Sequence, residues 1–516
     1  MRAHQKYNQF YATRFKALGA IAGLLTLSAC STLNVESAKL SLPEVRAALD
    51  EDKVALRRGV EPLAGPLTLD GAIARAIKYN AERRYKAMEE AVAMGTFEAG
   101  QFDLLPKMIA SAGYRDRNND LITRSIDSVT GAPSLANPYI SSSRNVLTSE
   151  VGISWSLLDF GQSYYSARQN ADRVMIAGER RRKALHNLIL DVRTAYWRVV
   201  AAQTLVPPLR ATIAESESAL KDARAAETDR IRSPLEPLRY QRQLLENLRL
   251  LETIEQELST ARVELATLTA LPLGADYTVV DAAVEVNTAW LDQPIDKLEE
   301  TALLRNPDLR EGIYNARIAQ QETRRAMLKL FPGLSFNYGV KHSNDDYLIH
   351  QSWNEAGAQI SFNLLGLLAA PAQMRLADAG VALANQRRMA MQMAVLSQVH
   401  IARQQYANTA RQYERADAIA VVDGRIAQHV ANQAEAQKQS ALDRISQQST
   451  AVLSQLRRYQ ALSNAQAAAS RLQATLGMEP AVAGSADMPL AELTAAVGQS
   501  LQTWNQGRLP ALEDRQ

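Results

Sequence analysis

The sequence predicts an α+β membrane protein built from a duplicated unit, each copy holding two β-strands and a set of long coiled-coil helices. Three observations predict it. The chain aligns on itself at offsets of 203 to 226 residues. Short segments of strict period-two alternation occur in pairs, once in each copy. Long stretches rich in Ala, Leu, Gln, Arg and Glu follow each strand pair, as helices require. The 516 residues carry 58 basic and 55 acidic side chains, a net charge of +3. That balance excludes a polybasic nucleic-acid binder and an acidic tail protein.

At the N-terminus, Met1 to Lys16 carries Arg2, Lys6, Arg14 and Lys16 and precedes the apolar stretch Ala17 to Leu27. This is the layout of a secretory signal peptide, expected over residues 1–29. The stretch ends Leu27-Ser28-Ala29-Cys30, similar to a bacterial lipobox, in which the cysteine thiol accepts diacylglycerol before cleavage. Cys30 is the one cysteine of the chain, so no internal disulfide or cysteine-based metal cluster can form. Ser31 follows rather than Asp, which in the lipoprotein sorting pattern directs the chain to the outer membrane. Lipid anchoring at Cys30 and a lipid-anchored segment over 30–66 are therefore expected, each buried acyl CH₂ adding ~0.8 kcal/mol.

The duplication orders everything downstream. Asp70 to Pro106 aligns without gaps on Asp296 to Pro332, pairing Ala76 with Ala302, Asn80 with Asn306 and Leu105-Pro106 with Phe331-Pro332. Ser154-Trp155-Ser156-Leu157-Leu158 matches Ser361-Phe362-Asn363-Leu364-Leu365, and Ser233-Pro234-Leu235-Glu236 matches Ser440-Ala441-Leu442-Asp443. Leu273-Gly274 matches Leu476-Gly477. The copies are expected at 67–274 and 295–480, with a linker over 275–294 and a C-terminal tail over 481–516.

Strands are expected near 107–115, 147–158, 333–341 and 355–364. In the second, Val151, Ile153, Trp155 and Leu157 oppose Glu150, Gly152, Ser154 and Ser156. In the third, Leu334, Phe336, Tyr338 and Val340 oppose Ser335, Asn337, Gly339 and Lys341. In the fourth, Ala356, Ala358, Ile360, Phe362 and Leu364 oppose Gly357, Gln359, Ser361 and Asn363. The first is blurred, with Met108, Ala110, Ala112 and Tyr114 against Ile109, Ser111, Gly113 and Arg115. Strands of ~9–11 residues, apolar on one face and polar on the other, suit a membrane β-barrel or a soluble sandwich with one wet face. The loops between paired strands, 116–146 and 342–354, are rich in Asn, Asp, Ser, Pro and Gly.

Helical runs are expected from Gly161 to about Arg230, interrupted at Pro207-Pro208, and from Leu238 to Ala270. Their counterparts run from Pro371 to about Gln437 and from Ala441 to Leu476. Seventy residues at ~1.5 Å each span on the order of 100 Å. Leu244, Leu248, Leu251, Ile254 and Leu258 recur at heptad-like spacing, so these helices must pack along neighbours.

Four strands cannot close a barrel, and an open sheet edge in lipid leaves unpaired backbone groups costing several kcal/mol each. If the strands span a membrane, copies must assemble. Two copies give eight strands with a filled interior, three give twelve with room for a lumen, and the small or polar inner residues suit the wider one.

The order and duplication of helix, strand pair and long helical hairpin, the Leu105-Pro106 and Phe331-Pro332 strand starts, the Ser154-Trp155-Ser156-Leu157-Leu158-Asp159-Phe160-Gly161 strand exit and the Ser-x-Leu-Asp-x-Ile helix start at Ser440 resemble the TolC-type outer membrane efflux protein family over roughly Leu67 to Pro480. The resemblance implies a homotrimer with a 12-stranded β-barrel in the outer membrane and an α-helical tunnel across the periplasm. It implies docking to a periplasmic adaptor (membrane fusion) protein and an inner-membrane pump, contact with outer membrane lipid, and no nucleic acid. The implied role is a passive exit duct of a tripartite efflux system for small molecules; a type I protein or polysaccharide secretion outlet uses the same tunnel, and a non-conducting structural envelope lipoprotein is the reading from another class.

Site residues follow from both sources. Val151, Ile153, Trp155, Phe336, Tyr338 and Phe362 are expected to face lipid. Ser233 and Ser440 fit helix N-caps with acidic N3 residues Glu236 and Asp443, worth ~1 kcal/mol as caps. The resemblance adds that these tips meet the adaptor, with Ser233 and Ser440 in contact, and that Asp443, with Glu236, lies where the family narrows its tunnel. The chain departs from the family pattern in having Arg230 and Gln437 where tips usually show glycine, Ser446 at a second acidic gate position, and Gly366-Leu367-Leu368 opposite Asp159-Phe160-Gly161. No enzyme, cofactor or metal is expected: His4, His186, His342, His350, His400 and His429 form no HExxH or other close pair, and neither GxSxG nor a phosphate-binding glycine loop occurs.

Overall fold

The computed structural model describes residues 39–123, 126–133, 139–228, 235–281, 286–435, 440–480 and 487–509. The leader, Cys30, Ser233 and the Glu236 side chain lie outside the described residues. Residues 1–60 and 61–516 form separate units. In the first, helix α1 (Leu42–Arg57) starts at Ser41, which accepts from the Glu44 N–H while the Glu44 side chain reaches back, a complete capping box.

The second unit repeats its element order. The first half runs α2 (Leu69–Tyr79), α3 (Ala81–Gln101), β1 (Lys107–Asp116), the short pair β2 (Ile122–Thr123) and β3 (Tyr139–Ile140), β4 (Asn145–Ser156), then α4 (Leu157–Thr228), α5 (Leu235–Ser259) and α6 (Ala261–Thr269). The second half runs α7 (Ile295–Arg305), α8 (Pro307–Leu328), β5 (Gly333–Ser343), β6 (Ser352–Ser361), α9 (Gly366–Glu435) and α10 (Ala441–Thr475), followed by α11 (Leu490–Asn505).

The Asn80 and Asn306 match in sequence has a shared structural cause. Each asparagine separates two helices and caps the second, Asn80 accepting from Arg83 N at 3.1 Å and Asn306 from Asp308 N at 3.0 Å. Each also donates its amide back to the far end of the helical hairpin, Asn80 to Leu268 O at 3.3 Å and Asn306 to Thr475 O at 2.9 Å. One buried side chain thus satisfies orphan groups at two helix ends.

Helix α4 has 72 residues and α9 has 70, about 105–108 Å at ~1.5 Å per residue. The expected break at Pro207-Pro208 does not occur: α4 continues through both. A proline inside a helix costs ~3 kcal/mol or more, and buried Leu205 and Leu209 on either side hold the run in place against the core. Helix α9 starts earlier than expected, at Gly366, and takes Pro371 into its second turn. The run expected from Leu238 to Ala270 is divided at Thr260 into α5 and α6 and ends on Ala270 in the left-handed region, φ 54°. Leu244, Leu248, Leu251, Ile254 and Leu258 are all buried, as heptad spacing requires.

The core sits midway along the long helices. Trp197, Trp290, Tyr196, Ile73, Ile77 and Leu209 are among its largest fully enclosed apolar side chains. The linker does not merely connect: Leu67 pairs in parallel with Val279, and Tyr196 donates its hydroxyl to Val280 O at 2.7 Å. Burial pushes the Tyr196 phenol up to about 12. The segment expected as a tail carries α11, whose Leu493 and Val497 are buried against the core, while Trp290 Nε1 donates to Trp504 O at 2.6 Å. Arg193 lies fully enclosed between α4 and α10, donating to Ser470 Oγ at 2.8 Å and to Gln466 Oε1, and burial pulls its guanidinium down to about 10.

Candidate functional site: the sheet and the helix tips

β1, β4, β5 and β6 form one antiparallel sheet in that spatial order, so β1 and β6 are its edges. The register places Met108 opposite Ile153, Ala110 opposite Val151, Ile153 opposite Tyr338, Trp155 opposite Phe336, and Phe336 opposite Ala358. Directly opposed residues share a face, so five of the residues expected to face lipid, Val151, Ile153, Trp155, Phe336 and Tyr338, come together on one exposed apolar surface. Met108, Val340, Leu334 and Ile360 extend it. Phe362 does not belong to the strand: β6 ends at Ser361, and the chain turns there towards α9, which starts at Gly366. Likewise Leu157, read as strand, is the first residue of α4.

The opposite face carries Ser111, Glu150, Ser154, Asn337, Lys341, Glu355 and Gln359. Lys341 reaches Glu355 Oε2 at 3.0 Å and Glu150 Oε1 at 3.7 Å, joining three strands by charge. The blurred alternation of β1 is thereby resolved, since pairing with β4 puts Ala110 on the apolar face and Ser111 on the polar one.

Beyond the strand ends, the two loops are fastened to each other by a residue the sequence did not single out. Asp345 accepts from Ser143 N at 2.9 Å, Ser142 Oγ at 2.9 Å and Tyr347 N at 3.2 Å. Next to it, Asn344 Oδ1 accepts from Leu147 N at 2.6 Å. The hydrogen bonds, led by that from the Ser143 backbone, hold the Asp345 carboxyl down at about 2. An Asn-Asp-Asp run facing a Ser-Ser pair was the available signal, but nothing in sequence couples loops 202 or 203 residues apart.

At the other end of the helices, Ser440 caps α10. The Asp443 N–H donates to Ser440 Oγ at 3.1 Å and the Ser440 hydroxyl donates to Asp443 Oδ2 at 2.8 Å. Both side chains are exposed. The adjoining Arg444 turns back to pair with Glu215 on α4. Glu236 lies in the first turn of α5, with its side chain outside the described residues.

A second charged cluster ties the middle of the molecule. Arg182 of α4 holds Glu479 through Nε at 3.0 Å and Nη2 at 2.9 Å, and also donates to the Gly477 and Arg305 carbonyls, each at 3.2 Å. Glu179 pairs with both Arg182 and Arg310. Burial pushes the Glu479 carboxyl up, yet contacts with His186 and Arg182 outweigh it and hold it at about 2. His186 Nε2 stands 3.3 Å from Glu479 Oε2. His400 pairs with Glu299 at 2.7 Å and His342 with Ser352 at 2.9 Å. Among the described residues no three His, Cys, Asp or Glu side chains converge as a metal site, and no helix is long and apolar enough to cross a membrane.

No protein-family model matches the chain, and no curated protein sequence does. Solved structures do. The Campylobacter jejuni CmeC outer membrane channel matches with a TM-score of 0.62 at 12% identity, over 93% of this chain and 99% of that one. A membrane protein from Pseudomonas aeruginosa matches at 0.63 and 14%, over 82% and 92%. The open state of the Neisseria gonorrhoeae MtrE outer membrane channel matches at 0.59 and 16%, over 80% and 89%. At these identities the likeness shows the fold, and it is the TolC-type fold.

Proposed function

We propose that three copies of this chain form an outer membrane channel-tunnel, the passive exit duct of a tripartite efflux system that expels small molecules. The observation that carries the reading is the sheet: four strands of 10, 12, 11 and 10 residues, with one exposed apolar face and two edges, β1 and β6, whose residues are all exposed. Such lengths match tilted membrane strands, and open edges are not tolerated in lipid. Because β1 and β6 run in opposite directions, β6 of one copy can pair with β1 of the next as an antiparallel ladder. Three sheets close twelve strands around a lumen lined by Glu150, Lys341, Glu355 and their polar neighbours.

The solved channels with this fold, described as outer membrane channels, support the same location. In this reading Cys30 is lipidated and adds an anchor to that of the barrel. The helices hang as a periplasmic tunnel, Ser233 and Ser440 meet the adaptor, and Asp443, with Glu236, rings the narrow end. The three Asp443 carboxylates brought together there favour cations. In this reading the energy comes from an inner-membrane pump. Planar-bilayer recording on the purified protein tests it: stepwise single-channel conductance is expected, and its absence in both the native chain and the D443A/E236A variant overturns the duct.

A further inference from the structure

The helices between the sheet and the core form a layer that repeats the order of the strands. α4 packs on both α3 and α8, and α8 packs on α9, so α3 and α9 are its outer members, as β1 and β6 are those of the sheet. Each carries an apolar stripe that no described residue covers. On α3 it runs Tyr85, Met88, Val92, Gly95 and Ala99, continued by Phe102, in alternating steps of three and four residues, and its large side chains are 58–72% exposed. On α9 it runs Ala369, Ala372, Leu376, Ala379 and Leu383 in the same steps, with Leu376 and Leu383 75% and 70% exposed. This spacing is that of a coiled-coil seam, and an exposed seam marks a packing surface without its partner.

The two stripes match each other. α3 runs towards the sheet and α9 away from it, so the edges can meet only antiparallel. Val92 precedes the start of β1 by 15 residues and Ala379 follows the end of β6 by 18, which sets them at similar depths below the sheet. Aligning these two places Val92, Leu376 and Phe102 each against a small residue, Ala379, Gly95 and Ala369 in turn, and Met88 against Leu383, so that large and small side chains interdigitate. Glu82 and Glu98 flank the stripe of α3, and Arg387 and Arg375 flank that of α9; all four are exposed, and none has an ion pair among the described residues. Being solvated, they demand no counter-charge; what they carry is sign and spacing. The same alignment brings Glu82 within two residues of Arg387 and Glu98 within two of Arg375, and charges beside a seam set the orientation and register of its helices. Within one copy α4 and α8 keep the stripes apart, so they can meet only between copies, head to tail, as a ring requires.

We propose that α3 of one copy packs antiparallel on the sheet-proximal part of α9 of the next in this register, with ion pairs Glu82–Arg387 and Glu98–Arg375 between copies beside the seam. The occupant of each stripe is a second copy of this chain, because the stripes fit one another in spacing, side-chain size, charge and depth. The inference rests on the reading of the chain as a ring of copies. It extends the ladder between β6 and β1 from the strands into the helices, so that neighbours are held by side-chain packing as well as by backbone hydrogen bonds.

Disulfide trapping on the full chain in detergent tests the register. V92C/A379C is expected to oxidise to a three-copy species on non-reducing gels at least tenfold faster than V92C/L368C, whose second cysteine is also exposed but lies 11 residues, about 16 Å, nearer the sheet. The single variants V92C and A379C correct for any reaction of Cys30. In variable-temperature native mass spectrometry, E82R and R387E should each lower the temperature at which the copies separate, and E82R/R387E should recover it. The proposal is overturned if the copies associate but V92C/A379C is trapped no faster than V92C/L368C, if the double charge reversal recovers nothing, or if the cross-links join each copy to a different protein. A native mass of one copy overturns the ring together with the seam, whereas trapped trimers that pass no current keep the seam and overturn only the duct.

Discussion

Gly477 approaches Arg305 so closely that a Cβ added to it would stand 2.2 Å from the Arg305 carbonyl oxygen. Its φ is +66°, in the left-handed region that ends α10. Its sequence counterpart, Gly274, also has positive φ, +83°, but open space where the Cβ would go. The two Leu-Gly pairs that mark the duplication therefore answer to different constraints. G274A should carry backbone strain of about 1–2 kcal/mol. G477A adds a backbone collision that no rotamer relieves, and it should melt clearly below G274A. Equal melting temperatures for the two variants would refute the distinction.

Glu479 gives a pH dependence whose sign is fixed. Its folded carboxyl is held at about 2, below the ordinary value of 4.5. A depressed acid contributes stability that is present above its unfolded pKa and lost as pH falls through the folded one. The contribution is on the order of 3 kcal/mol at most. The native chain should lose thermal stability between about pH 5 and pH 2, while E479Q, already lacking the charge opposite Arg182, should start lower and respond less over that range. Parallel melting curves for the two proteins against pH would show that Glu479 carries no such linkage.

Asp345 is predicted to act as the latch between the two strand-end loops. D345A removes the acceptor for the Ser143 and Tyr347 amides. Hydrogen exchange at those two amides should accelerate, and exchange in the middle of β4, at Val151 and Ile153, should not. With the carboxyl held at about 2, the native loops should stay fastened at mildly acidic pH and loosen only as pH falls towards that value. Unchanged exchange at Ser143 in D345A would mean the loops are held by other contacts.

The fold was legible where a local pattern repeats over several residues. Period-two alternation located β4, β5 and β6, heptad spacing located the buried stripe of α5, and self-comparison located Asn80 and Asn306 before their shared double role was visible. β1 blurred because Ala110, Ala112, Ser111 and Gly113 are small on both faces, and the pairing partner on β4 decides which side each takes. Local rules failed where distant packing overrode them. Pro207-Pro208 reads as a break, yet Leu205 and Leu209 bind that stretch of α4 into the core. The contacts of Asp345 with Ser142, of Arg182 with Glu479 and of Arg317 with Asp172 join residues 203, 297 and 145 apart, and no spacing rule connects them.

At the tip of α10, capping and gating can be separated by two substitutions three residues apart. Ser440→Ala removes the acceptor of the Asp443 N–H and should cost about 0.5–2 kcal/mol of helix stability while leaving the carboxylate charge in place. Asp443→Asn keeps a side chain that can pair with the Ser440 hydroxyl but removes the charge. If three copies bring Asp443 to one ring, D443N should lower cation preference in reversal-potential measurements across a salt gradient, and S440A should not. The proposed contribution of Glu236 should add to that of Asp443, so E236Q/D443N should be the least cation-selective of the set. A reversal potential that is the same in all four proteins would leave Asp443 a helix cap and nothing more.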